Sequence, residues 1–265
     1  MKSFDFDLID TGEGPAVLFL PGSYATPAAR RGVQGALRSP FRTFSTSLPG
    51  YGTTPEVRPD KDPNIDRLTE FVGQVVEAVA EPVHVVGHSW GAQLVLAAVL
   101  ARRIRPLSVV CFEANPIFAE PSDRPFPWRS DIVAMVDRFE EALAAGDPEA
   151  ASIIIDFYGR PGTFLRMPEN VRNFCRATAP TNLRDWRSAA TFTPSFRSFA
   201  AVDIPVTLVR GSETPVPIID VTDQLAAGIP GASERVVEGA DHFLISTHPA
   251  ACAEILEDHI SEVGG

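Results

Sequence analysis

Apolar residues fall along this chain in short unbroken blocks, separated by longer stretches of mixed character. The blocks "AVLFLPG" (16–22), "FRTFSTSLPGYG" (41–52), "VHVVGHS" (83–89), "LSVVCFE" (107–113), "PVTLVRG" (205–211) and "SERVVEG" (233–239) are closed by turn residues, and each predicts a strand. Apolar positions at helical spacing predict helices over 65–80, 90–103, 218–228 and 249–260. Strands that do not alternate apolar with polar residues are buried on both faces. The pattern therefore predicts an α/β fold, a mostly parallel, doubly wound sheet with right-handed crossovers.

Residues 118–200 break the rhythm. They carry no strand pattern and hold twelve of the chain's 23 aromatic residues, too many for an exposed linker. Pro121, Pro125, Pro127, Pro161 and Pro168 divide the stretch into short helices. The expected organisation is a core made of 1–117 and 201–265 with a helical cap inserted at 118–200. About half of the cap aromatics are expected to pack against the sheet and the remainder to line a pocket. No repeat, heptad or low-complexity tract interrupts this picture.

Composition narrows the function. With 45% hydrophobic residues the chain has ample material for a core, and a formal net charge of −11 would repel nucleic acid and anionic membrane alike. The expected partner is a small-molecule substrate, with monomer and homodimer both open. The first residues, "MKSFDFDLIDTGEGP", are acidic where a signal peptide is basic and then apolar, and no run approaches the ~20 apolar residues of a membrane span. A cytoplasmic location is expected. Cys111, Cys175 and Cys252 are odd in number and widely spaced, with no CxxC pattern or nearby histidine pair, so neither a disulfide framework nor a metal site is expected.

Chemistry concentrates in one corner. In "VHVVGHSWGAQLVLAAVL" (83–100) a β-branched strand passes directly into an alanine- and leucine-rich helix, and "GHSWG" stands at the junction. This fits the Gly-x-Ser-x-Gly nucleophile elbow, in which glycines leave room for a sharp turn that lifts a serine hydroxyl above the sheet. The helix start behind Ser89 supplies N–H groups and a positive dipole end.

With these residues the chain resembles the α/β-hydrolase superfamily, its serine-nucleophile branch with a helical cap, over nearly its whole length. The resemblance implies a nucleophile–acid–histidine order and places the histidine at His242, in "VEGADHFLISTHP". It implies an oxyanion hole built from the backbone N–H of Trp90 and of Ser23, with Tyr24 as the alternative, in a loop where Pro21 stands in place of the commoner histidine. The Pro-Gly-x-Gly turn "PGYG" at 49–52 matches a structural feature of the family. The acid departs from the commonest pattern, because Thr214 of "RGSETPVP" occupies its usual place. Some members instead carry a glutamate after the strand that follows the nucleophile helix. Glu113 is preferred on that ground, Glu213 is the alternative, and Asp220 and Asp241 come next.

His88 is expected to point away from Ser89, His84 to belong to its strand, His248 to help start the last helix, and His259 to face solvent. The resemblance implies a hydrolase of esters, lactones or thioesters of a small to medium, largely apolar acyl group, working through an acyl-enzyme without cofactor. Serine at the nucleophile position argues against dehalogenase and epoxide hydrolase chemistry, which needs a carboxylate there. Arg124, Arg129, Arg160 or Arg166 is a candidate partner for a substrate carboxylate. The competing functions are a cofactor-free lyase, carbon–carbon hydrolase or oxygenase that uses the histidine as a base, and a binding role on an inactive scaffold.

Overall fold

The computed structural model describes residues 4–59, 62–123 and 125–264. Its strands are β1 (Ile9–Thr11), β2 (Ala16–Leu20), β3 (Arg42–Ser45), β4 (Val83–His88), β5 (Ser108–Phe112), β6 (Val206–Gly211) and β7 (Ser233–Val237). They form one sheet in the order β1-β3-β2-β4-β5-β6-β7, with β1 antiparallel and the rest parallel. The helices are α1 (Arg31–Ala36), α2 (Asp66–Val79), α3 (Trp90–Leu100), α4 (Arg129–Ala144), α5 (Ala151–Tyr158), α6 (Thr163–Arg166), α7 (Glu169–Ala189), α8 (Val216–Gly228), α9 (Leu244–Thr247) and α10 (Pro249–Gly264).

All six sequence-predicted strands are present. The unpredicted β1 has three exposed residues and no apolar pattern of its own, and it is held by the edge of β3 through Asp10–Arg42 and Thr11–Thr43 contacts. Alternate strand residues enter two separate cores. Leu18, Val85, Val109 and Leu208 pack beneath α2, α3 and α8, while Val17, Val86, Val110 and Val209 pack against α10. The central strands β2 and β5 are therefore buried throughout. From Trp90 to Val99 α3 is buried on every side, as its all-apolar sequence requires. It stops at Leu100, short of the expected 103, because Arg102 takes a left-handed φ of 54° and Arg103 N–H turns back to the Ala98 carbonyl.

Between β5 and β6 the chain forms α4 to α7 and a short 3₁₀ turn at Phe196–Ala201. A bridge between Glu120 and Ser195 joins the two ends of this segment. Not all of its helices are short: α7 is 21 residues long and continues through Pro180.

The far end of the sheet corrects one expectation. His259 is buried, not solvent-facing: its Nδ1 lies 2.8 Å from Thr207 Oγ1, which also meets Ser233 Oγ at 2.8 Å. His84 is likewise buried, with Nδ1 2.7 Å from Ser108 Oγ. Burial, with His84 and Arg235 nearby, pulls the His259 imidazole from 6.5 down to about 4. The folded protein holds this ring neutral, whereas the unfolded chain protonates it near 6.5. Its contribution to stability is complete above that value and is lost as the pH falls toward 4. Urea midpoints measured at about pH 7 and about pH 5 should show the parent protein losing on the order of 1–2 kcal/mol more than His259→Asn. Equal losses would clear the ring of any part in acid sensitivity.

Candidate active site

The corner at Ser89 is as abrupt as its sequence. β4 ends at His88, α3 begins at Trp90, and Ser89 between them holds φ 51° and ψ −120°, a region that side-chain-bearing residues rarely enter. A Cβ on Gly87 would lie 2.5 Å from Ala92 Cα, and one on Gly91 would run into the Leu20 and Pro21 carbonyls. The two glycines thus let α3 start immediately above the sheet and against the loop that follows β2.

Ser89 Oγ donates to His242 Nε2 at 2.8 Å, and His242 Nδ1 donates to Glu113 Oε2 at 2.9 Å. All three side chains are buried. Glu113 immediately follows β5 in a left-handed conformation, φ 53°. Its remaining lone pairs accept from Gly211 N–H at 2.6 Å and from Thr214 Oγ1 at 2.5 Å. Thr214, standing where the family's commoner acid would be, supplies a hydroxyl to the glutamate that reaches the histidine. Burial alone would raise the Glu113 carboxyl, but donation from His242, Thr214 and Gly211 outweighs it and holds the pKa below the ordinary value.

The alternative acid is elsewhere. Glu213 is an exposed residue paired with Arg160. Asp220 accepts from Trp128 Nε1, and Asp241 caps the Phe243 N–H. His88 points its Nε2 at the His242 carbonyl at 2.9 Å, away from Ser89, and burial pulls its imidazole down to about 4. His248 accepts the Cys252 N–H at the start of α10.

A model of the alpha/beta hydrolase family matches residues 17–255. The chain belongs to that family. It is 25% identical to an uncharacterised protein of Mycobacterium tuberculosis, covering 93% of this chain and 75% of that one. To the pimeloyl-[acyl-carrier protein] methyl ester esterase of Aeromonas hydrophila subsp. hydrophila it is 23% identical, covering 94% and 96%. The crystal structure of a bromoperoxidase from Bacillus anthracis superimposes with a TM-score of 0.78 at 18% identity, over 97% and 96% of the two chains, a likeness of fold.

In this alpha/beta hydrolase a cavity of about 530 Å³ opens over Ser89 and His242, walled on one side by α5 and α7. Of the twelve aromatics between 118 and 200, only Tyr158, Phe174 and Trp186 are among its described lining residues, fewer than the half expected. Four of the others, Phe139, Phe164, Phe196 and Phe199, have no exposed surface, and Phe126 stacks on Trp128 and meets Phe196 edge-on. Three of the four candidate arginines are engaged away from the cavity. Arg129 binds the Phe118 and Ala119 carbonyls, Arg160 pairs with Glu213, Arg166 bonds to Pro161 and Thr163, and none of the three lines the cavity. Arg124 lies outside the described residues. Among the described residues no cluster of three His, Cys, Asp or Glu is placed to hold a metal, and no helix is long and apolar enough to cross a membrane.

Two contacts at the site were invisible in the sequence. The Tyr158 ring stacks on the His242 imidazole at 4.1 Å and 22°, with its hydroxyl accepting from Asn115 Nδ2 at 3.0 Å. On α7, the buried Asp185 accepts from Ser23 Oγ and Tyr51 OH, both at 2.6 Å, and from Arg58 Nη1 at 2.9 Å. Burial pushes its carboxyl above the ordinary range against the pull of these three donors. Ser23 belongs to the loop behind β2, so Asp185 ties α7 to the rim of the elbow. Without Asp185, Ser23 and Tyr51 lose their acceptor while Arg58 keeps its pair with Glu56 at 2.7 Å. Asp185→Ala should lower the unfolding free energy in urea by about 2–3 kcal/mol, and Glu213→Ala, at an exposed pair, by at most ~1 kcal/mol. Equal effects would mean that Asp185 anchors nothing.

Proposed function

We propose that the chain is a serine hydrolase acting on esters, lactones or thioesters of a small to medium, largely apolar acyl group. The observation that carries this reading is the unbroken hydrogen-bonded series from Ser89 Oγ through His242 to Glu113 Oε2, at 2.8 and 2.9 Å, beneath a mostly apolar cavity. The esterase activity named for the Aeromonas relative supports it.

The chemistry follows the general serine–histidine–carboxylate scheme. Ser89 Oγ attacks the substrate carbonyl while His242 Nε2 takes its proton. The backbone N–H groups of Trp90 and Ser23, with Tyr24 as the alternative to Ser23, receive the developing oxyanion. His242 then protonates the leaving group, and water repeats the sequence on the acyl-enzyme with the same histidine as base. Glu113 keeps the proton on Nδ1, so that Nε2 is free to accept, and it stabilises the imidazolium. Residues 118–200 act as the cap: they cover the cavity, and Tyr158 keeps one face of the imidazole from water.

Ser89→Ala should reduce the hydrolysis of p-nitrophenyl esters by ~10³-fold or more and abolish labelling by a fluorophosphonate. Glu113→Gln should lower kcat by ~10²- to 10⁴-fold with little change in KM, whereas Glu213→Gln should leave both near the parent values. An alanine variant that kept its activity would transfer the chemistry to the histidine acting as a base, and the opposite ranking of the two glutamine variants would overturn Glu113 as the acid.

A further inference from the structure

The cavity holds polar chemistry that the proposed reaction does not use. Tyr24, Gln93, Asn115 and Asn182, all uncharged hydrogen-bonding residues, lie along its lining. Each has buried polar atoms without a partner: the Tyr24 hydroxyl, both amide atoms of Gln93, and the Oδ1 atoms of Asn115 and Asn182. Gln93 is 1% exposed and Asn182 3%. Elsewhere among the described residues such atoms occur singly, on Arg30, Glu149, Arg172 and His259, all ionisable side chains. The uncharged ones gather at this one cavity.

These four residues come from separate parts of the fold and line the cavity that opens over Ser89. Tyr24 follows Ser23 in the loop after β2. Gln93 stands one helical turn beyond Ser89, whose carbonyl accepts its backbone N–H at 3.0 Å. Asn115 lies two residues past Glu113 and spends only its Nδ2 on Tyr158. Asn182 stands on α7 one turn before Asp185. A buried amide without a partner costs stability, and several around one cavity are the mark of groups that a bound molecule completes.

The charge balance narrows that molecule. None of the described lining residues is a lysine or arginine, and the one carboxylate among them, Asp185, is already engaged by Ser23, Tyr51 and Arg58. A substrate carboxylate would meet amide and hydroxyl groups but no cation, and a substrate ammonium would find no free anion. The remaining walls, including Ile117, Ile154, Ile155, Met167 and Val171, suit hydrocarbon.

We infer that Tyr24, Gln93, Asn115 and Asn182 form a subsite for an uncharged group that both donates and accepts hydrogen bonds, an amide or a hydroxyl, carried on an otherwise apolar substrate. This assignment rests on the reading of the site as a serine hydrolase, and it can be tested apart from turnover because Trp90 and Trp186 line the same cavity. Tryptophan fluorescence titrations should give hexanamide or hexanol an affinity at least ~10-fold above that of hexanoate and of hexylammonium. In Gln93→Met and Asn182→Leu the advantage should shrink to within about 2- to 3-fold. Whichever neutral ligand leads identifies amide or hydroxyl as the group preferred. Gln93→Met should also raise the Tm of the free protein by ~2–4 °C, since an unpartnered buried amide is exchanged for a thioether of similar shape. With turnover as readout, p-nitrophenyl esters bearing an in-chain amide or hydroxyl should exceed length-matched alkanoates in kcat/KM by ~10-fold.

Equal affinities for neutral and charged ligands, or a lower Tm in Gln93→Met, would overturn the subsite. Preference for plain alkanoates in an enzyme that a fluorophosphonate labels at Ser89 would overturn it while leaving the hydrolase reading in place. Loss of all hydrolysis and labelling, with the ligand preference intact, would strike the hydrolase reading alone.

Discussion

A carboxylate with no exposed surface has to be answered by donors, and at Glu113 the answer organises one end of the sheet. The side chain is completely buried, and its two oxygens accept from Gly211 at the end of β6, from Thr214 beyond it, and from His242 in the loop after β7. Leaving any one of these unmade would strand a charge in the interior, a far larger cost than the strain of the φ 53° backbone that aims the side chain. The ends of three neighbouring strands are thus pinned to one another by a single anion. Ser89, at φ 51° on the adjacent strand end, carries the same kind of strain. Two unfavourable backbone conformations side by side persist because the parallel ladder beneath them fixes both positions.

From the other side the elbow is confined by backbone. Gly91 lies so close to the carbonyls of Leu20 and Pro21 that no side chain fits, and this close approach sets the loop after β2 beside Ser89. Asp185 holds that loop from above through Ser23. The segment between β5 and β6 therefore meets the site at two points: Tyr158 lies flat against the imidazole, and Asp185 grips the loop that carries Ser23, one of the two proposed oxyanion donors. A segment in contact with both His242 and the loop after β2 does more than roof the cavity.

The sheet was legible because its strands are buried on both faces, so that each reads as a solid apolar block, and the elbow because two glycines bracket a serine where strand gives way to helix. Glu113 could be preferred through the resemblance, because some members of the family carry a glutamate after this strand and "LSVVCFE" ends in one; the bond from Thr214 could not be foreseen, because a hydroxyl donated to a distant carboxylate leaves no pattern in the sequence. His259 was misread although a signal was present: it stands three residues after Leu256 and seven after Cys252, on the buried face of α10. A histidine among such positions is polar enough to be assigned to solvent, and only Thr207 on β6 explains its burial. Asp185 had no comparable signal. Its partners Ser23, Tyr51 and Arg58 are 162, 134 and 127 residues away along the chain, and no local periodicity joins them.

Helix α7 gathers these distant requirements into one rigid element. Cys175, Asn182, Asp185, Trp186 and Ala189 recur along it at spacings that keep them on adjoining faces, and all five line the cavity. Asp185, which holds Ser23 in the loop after β2, is therefore one turn from Asn182, whose Oδ1 is buried without a partner at the cavity. Residues three apart on an α-helix lie on the same side and move largely together. On the proposed reading, a substrate group bonded to Asn182 would act on the same turn of helix that holds Ser23 beside Ser89, so that recognition in the cavity and the placing of the proposed oxyanion donor would share one element.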